Sequence, residues 1–261
     1  MLSYSYRYAA MAKTRSQKQI LVYSGDGVGG RAAEIVPRTL LDALGGGGWG
    51  IRTISAAQII GGGLDGATGF VVPGGADTPY CRDLFGAGCS AIRRFVTSGG
   101  VYIGFCAGAY FAARSIEWNR GQPDEIIAPR ELGFFSGVAV GPVSGPGTYD
   151  PVSDRGARIF RLLTEDGDEA WSFFNGGCAF VGDSPSTTVI ARYADYPGTP
   201  AAAVRVSIGK GFAILSGIHP EYDSAALPNE HPLKARLSEV DADRRRILHH
   251  ILKPLQEKET V

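Results

Sequence analysis

The sequence predicts an α/β domain on an open, mostly parallel sheet, with helices on both faces and extra antiparallel strands in its second half. Two observations predict it. In the first half, short apolar runs of strand length alternate with stretches of helical periodicity, which implies parallel pairing through crossover helices. In the second half, strand-like runs follow one another with few helices between them.

The first strand covers residues 19–25 (QILVYSG), an apolar run ending in glycine. Residues 29–44 then place Ala33, Val36, Leu40, Leu41 and Leu44 at helical spacing. Pro37 lies inside that stretch, so the helix is expected to start or kink near it. The glycine run 45–48 is a loop, and residues 50–55 form a second strand carrying Ile51 and Ile54. Residues 69–75 (GFVVPGG) read as a third strand ending in a turn, 87–97 as a helix, 101–105 (VYIGF) as a fourth strand and 107–116 as the next helix. Residues 134–143, 170–181, 187–193 and 202–217 are strand-like, the last split into a hairpin at Gly209-Lys210-Gly211. Residues 233–255 form a charged, partly amphipathic helix, on which Arg244, Arg245 and Arg246 beside Asp241 and Asp243 read as a solvated face. With no linker and no internal repeat, one domain is expected over residues 19–256, after a disordered tail at 1–18.

Composition narrows the function. The 261 residues carry no net charge, so nothing draws the chain to nucleic acid or to an anionic membrane. No apolar run approaches the roughly 20 residues of a membrane span. Cys81, Cys89, Cys106 and Cys178 form no C-x-x-C pair and have no histidine at zinc-ligand spacing. Sparse cysteines in a domain of this size indicate a reduced, intracellular protein; a cytoplasmic location is expected, with no metal and no cofactor. The acid-free, basic N-terminus offers a mitochondrial presequence as the alternative, and Met11 is a second candidate start.

Three motifs carry chemistry. Gly104-Phe105-Cys106-Ala107-Gly108-Ala109 runs from an apolar strand through small residues into a helix. That is the strand–turn–helix setting of a nucleophile elbow. A cysteine there meets the positive end of the helix dipole, which favours the reactive thiolate form. More than a hundred residues further on stands His219-Pro220-Glu221. In an extended segment residues two apart face one side, so Glu221 can orient His219 while the other ring nitrogen faces the thiol. Val72-Pro73-Gly74-Gly75 ends the third strand. One backbone N–H of the Gly74-Gly75 turn and the N–H of Ala107 are candidates for an oxyanion hole. Gly74, Asp77, Tyr80, Tyr110 and Asn175 are candidates for the substrate pocket.

Pro73-Gly74-Gly75, Gly104-x-Cys106-x-Gly108 and His219-x-Glu221, in that order, resemble the class I glutamine amidotransferase superfamily, whose sheet is flavodoxin-like. More narrowly, Cys-Ala-Gly-Ala-Tyr, Phe-Asn-Gly-Gly at 174–177, Ile-Leu-Ser-Gly-Ile-His-Pro-Glu and the opening Val-Tyr-Ser-Gly resemble the N-terminal domain of eukaryotic-type biotin–protein ligases. The broad resemblance implies that Cys106 attacks a carboxamide to form a thioester, that His219 is base and then acid, that Glu221 orients it, and that Gly75 and Ala107 supply the oxyanion donors. It also implies ammonia release, with a synthetase or ligase as partner. Glutamine amidotransferases carry glutamine four residues after the cysteine, where this chain has Tyr110. A different small-molecule amide, ester or carbonyl substrate is therefore expected. The chain ends at Val261 without a Gly-Arg-Gly-Arg-type loop, so biotin ligase activity is not expected.

Three other readings compete. A silent binding or regulatory module would keep the elbow without turnover. The related intracellular-protease and deglycase branch places its histidine soon after the elbow, but no histidine lies between Cys106 and His219. Gly25-Asp26-Gly27-Val28-Gly29-Gly30 fits the dinucleotide pattern G-x-G-x-x-G. It lacks the acid that should end the second strand, and a plain glycine turn accounts for it.

Overall fold

Strands that are apolar on both sides must be covered on both sides, and this requirement organises the first half of the chain. The computed structural model describes residues 18–45, 48–150, 153–182 and 186–257. In order come β1 (Lys18–Tyr23), α1 (Gly30–Ala43), β2 (Trp49–Ile54), α2 (Ala56–Ile60), β3 (Gly69–Val72), α3 (Asp77–Asp83), α4 (Ala87–Thr97), β4 (Val101–Phe105) and α5 (Ala107–Ala112). The four strands pair in parallel in the order β2-β1-β3-β4. Alternate residues enter two separate cores. Leu21, Tyr23, Phe70, Val72 and Tyr102 pack on one face with Ile92 and Val96 of α4. Ile20, Val22, Val71, Ile103 and Phe105 pack on the other with Val36 and Leu40 of α1.

The second half adds β5 (Ala113–Trp118), β6 (Ile126–Pro129), β7 (Phe135–Gly141), β8 (Arg158–Thr164), β9 (Glu169–Phe174), β10 (Ala179–Val181), β11 (Thr187–Tyr193), β12 (Ala201–Ile208), β13 (Gly211–Ser216), α6 (Lys234–Glu239) and α7 (Asp241–Gln256). One open 13-stranded sheet runs β2-β1-β3-β4-β13-β12-β10-β7-β5-β6, with β11, β8 and β9 branching from β12. β13 joins the two halves. It lies parallel to β4, with Ser216 opposite Phe105, and antiparallel to β12. The α7 residues Ile247, Leu248, Ile251, Leu252 and Leu255 cover the same face as α1.

The α/β class holds, and so does the change from parallel to antiparallel pairing. Several boundaries differ. The helix after Cys106 stops at Ala112, because Ala113 enters β5, a strand that pairs with both β6 and β7. Pro37 neither starts nor ends α1, which runs through it from Gly30. The stretch 170–181 is broken between β9 and β10, and the last helical stretch is broken at Val240. The sequence reading did not separate α2, α3, β5, β6 or β8. The expected tail lies outside the described residues except for Lys18, which opens β1. No helix among the described residues is long and apolar enough to cross a membrane.

The break after β9 has a packing reason. A Cβ on Gly177 would overlap the Gly217 carbonyl, and one on Gly217 would overlap the Cys178 carbonyl. The two backbones touch where the chain leaves β9 and β13. Gly177→Ala is expected to lower stability by about 1–3 kcal/mol, read as a lower urea midpoint with an unchanged slope. An unchanged midpoint would show that the two segments separate freely.

Candidate active site

Cys106 follows β4 directly, and its backbone is left-handed, with φ 47° and ψ −103°. For a residue with a side chain such a conformation costs about 1–3 kcal/mol and persists only where its surroundings enforce it. Here the Cys106 N–H donates to Ser216 O at 2.8 Å, and the Cys106 carbonyl accepts from the N–H groups of Ala109 and Tyr110, each at 2.9 Å. The flanking glycines are steric requirements. A Cβ on Gly104 would meet the Gly108 carbonyl, and one on Gly108 would meet the Val72 carbonyl. The elbow is pressed between β3 and its own helix.

His219 lies three residues past β13 and is brought to the elbow by the β4–β13 pairing. Its Nδ1 is 2.7 Å from Glu221 Oε1, and both side chains are buried. The sequence reading placed this pair on one side of an extended segment. It sits instead in a turn, closed by Tyr222 N–H donating to His219 O at 3.1 Å. Burial by itself lowers the His219 pKa. The Glu221 carboxylate and the hydrogen bonds to Cys106 and Glu221 outweigh it and raise the pKa above its ordinary value. A Cβ at Gly74 would lie 2.8 Å from His219 Cε1, so glycine there makes room for the ring. The Cys106 thiol also donates to Asn175 O at 3.7 Å.

These groups open on a cavity of about 180 Å³ whose wall includes Gly74, Gly75, Cys106, Asn175 and His219. Glu221 lies behind His219, fully buried. Ala107 opens α5, and the first N–H groups of a helix have no acceptor within it. The structure does not bring Asp77, Tyr80 or Tyr110 to that wall. Asp77 is held by Arg130 at 2.6 Å in a nearly buried ion pair. Tyr80 is fully buried and donates to Pro73 O and Gly74 O at 3.2 and 3.4 Å, bracing the turn from beneath. Tyr110 is buried, donates to Gly176 O at 3.2 Å, and lies against Gly141, where a Cβ would overlap its hydroxyl. The glycine-rich loop after β1 is laced to the Pro-Gly-Gly turn, with Gly29 N–H donating to Gly74 O and Ala76 N–H to Gly27 O.

Sequence reasoning missed much of the wall, including Arg31, Tyr149, Asp154, Phe173 and Tyr222. Asp154 accepts from Arg31 at 2.7 Å and from Asn175 at 3.3 Å, and lies 3.3 Å from His231 Nε2. Phe173 stacks on Tyr222 at 5.3 Å, and His219 meets Tyr222 edge-on at 5.1 Å. No periodicity marks a loop residue that arrives by tertiary contact. The reading of Arg244 as solvated is corrected. Only 1% of it is exposed, because its guanidinium turns inward and donates to Pro220 O at 2.7 Å. Among the described residues no group of three or more His, Cys, Asp or Glu could hold a metal ion.

Comparison with known proteins gives a consistent result. Residues 18–259 match the family model described as biotin-protein ligase, N terminal. A functionally uncharacterised protein of Chlamydia muridarum is 38% identical over 171 residues, covering 64% of this chain and 66% of that protein. The biotin–protein ligase of Schizosaccharomyces pombe is 35% identical over 167 residues, 60% of this chain and 26% of the ligase. The chain thus spans just under two thirds of one relative and about a quarter of the other. Among solved structures, a glutamine amidotransferase superposes with a TM-score of 0.53 at 22% identity, covering 85% of this chain and 99% of that one. A ThuA-like protein from Bacteroides uniformis superposes with a TM-score of 0.58 at 13% identity, covering 99% and 97%. At those identities the likeness concerns the fold.

Glu221→Gln removes the negative charge that holds the proton on His219. The ring's titration midpoint, followed by NMR of labelled histidine, is expected to move down towards the ordinary value of about 6.5. A midpoint that stays raised would show that Glu221 does not set the protonation of the ring.

Proposed function

The chain belongs to the family of biotin–protein ligase N-terminal domains, and from that premise we propose that it is a cysteine-dependent amidase or hydrolase working through a thioester. The observation that carries this reading is the convergence of three groups. A strained cysteine and a histidine open on one cavity, and a fully buried glutamate stands behind the histidine, with the Nδ1–Oε1 contact at 2.7 Å.

In the proposed reaction, the Cys106 sulfur attacks the carbonyl carbon of a small amide or related acyl compound. The thiol proton passes to His219, whose ring is fixed by Glu221 through Nδ1. The N–H groups of Gly75 and Ala107 receive the negative oxygen of the tetrahedral intermediate. Its collapse breaks the carbon–nitrogen bond, and the proton on His219 leaves with the amine. Water then adds to the thioester with His219 as base, the acid departs, and Cys106 regains its proton. The upward shift at His219 suits the proton-donating step, and a charged ring stabilises negative charge on the neighbouring sulfur.

The cavity of about 180 Å³ supports a small molecule as the substrate. Tyr110 occupies the place where glutamine-using relatives are expected to carry glutamine, so a different amide is proposed. A ligase or synthetase that uses the product is proposed as the partner, because the chain shares its family with a biotin–protein ligase.

The test is alkylation by iodoacetamide across pH, mapped by peptide mass, in wild type and His219→Ala. The other thiols supply an internal scale. Burial pushes Cys81 up to about 11, Cys89 up to about 12 and Cys178 well above its ordinary value. Cys106 is expected to react fastest near neutral pH, and about tenfold or more slowly once His219 is gone. A Cys106 rate no faster than the other three and indifferent to His219 would leave a binding module instead of an enzyme.

A further inference from the structure

The His-Pro-Glu turn belongs to no ladder, and Pro220 has no N–H to offer, so regular structure cannot satisfy its carbonyls. Each of four consecutive carbonyls nevertheless has a donor. Ile218 O accepts from Ser216 Oγ at 2.7 Å, and His219 O accepts from Tyr222 N–H at 3.1 Å. Pro220 O accepts from Arg244 Nη1 at 2.7 Å, and Glu221 O accepts from Thr39 Oγ1 at 2.9 Å. The last two donors come from α7 and α1, helices far from the turn in sequence. They fix the two peptide planes that carry Glu221.

The Glu221 side chain needs such fixing. Its Oε1 contacts His219, while its buried Oε2 has no hydrogen-bond partner among the described residues. The carboxylate is therefore oriented by its backbone and by one contact to the ring it serves. Arg244 is itself anchored, since Asp241 Oδ1 lies 2.8 Å from its Nε and 2.7 Å from its Nη2. The pair leaves Nη1 free to reach Pro220. A buried arginine used only to fill space would be an expensive choice, because its charge has to be desolvated.

We propose that Arg244 and Thr39 are positioning residues for the His219–Glu221 pair, acting through the Pro220 and Glu221 carbonyls. The proposal rests on the catalytic reading of that pair for its consequence, and on the turn's geometry for its substance. It makes α1 and α7 part of the site, although neither Arg244 nor Thr39 lies on the cavity wall.

The test is the titration of His219 by NMR in the full chain, in Arg244→Met, Arg244→Lys and Thr39→Val. Loosening the carboxylate is expected to lower the His219 midpoint by about one pH unit in Arg244→Met and in Thr39→Val. Arg244→Lys, which keeps a charged donor, is expected to recover part of that shift. A purely structural clamp would lower the melting temperature and leave the titration where it is in wild type, and that result overturns the proposal. Should Arg244→Met fail to fold, Thr39→Val decides, since it removes a hydroxyl and keeps the shape. A shifted titration together with a slow, His219-indifferent Cys106 would keep the positioning role and remove only the catalytic reading.

Discussion

The parallel pairing of β4 with β13 is the constraint on which the rest of the structure depends. It sets Ser216 opposite Phe105, so both strands end at the same edge of the sheet. One residue beyond β4 is Cys106, and three beyond β13 is His219. The hydrogen bond from Cys106 N–H to Ser216 O extends that pairing past the strand end and helps hold the left-handed backbone of the elbow. A slip of one residue would turn every β13 side chain to the opposite face. Ala213 and Leu215 would then leave one core and Ile214 the other. Burial on both faces thus protects the register that places the histidine beside the thiol.

Close backbone approach is the second theme. Gly104 and Gly108 let the elbow press against β3, Gly74 leaves room for the imidazole, and Gly177 and Gly217 let the exits of β9 and β13 touch. Each removes a Cβ that would strike backbone or the His219 ring. The glycines look scattered in sequence, but they gather around one edge of the sheet because that is where strands end and turns crowd together.

Electrostatics divide the titratable groups by surroundings. Cys81, Cys89 and Cys178 are dominated by desolvation, which disfavours the thiolate. His219 is buried too, yet its pKa is raised, because the Glu221 carboxylate stands beside it and its ring hydrogen-bonds to Cys106 and Glu221. A buried carboxylate in that position is costly unless something holds it in register with the ring. The donors from α1 and α7 answer that need through the backbone, which ties the covering helices of one core to the His219–Glu221 pair at the sheet edge.

By itself the sequence determined the alternation of strand and helix in the first half, the elbow at Cys106 and the candidacy of His219 and Glu221. Each rests on local information: apolar runs, small residues at fixed offsets, and an acid two residues from a histidine. The end of α5 at Ala112 was not legible, since residues 113–118 become strand only by pairing with β6 and β7. The withdrawal of Asp77, Tyr80 and Tyr110 from the cavity was equally hidden, because each is claimed by a partner distant in the fold or beneath the turn. Arg244 shows the limit most clearly. Its neighbours Asp241, Asp243, Arg245 and Arg246 make it look solvated. Only the packing of α7 beside the His-Pro-Glu turn turns its guanidinium inward. Local spacing can specify which side chains are chemically able to act. Tertiary structure alone decides which of them meet, because sheet register and helix docking bring together residues far apart in the chain.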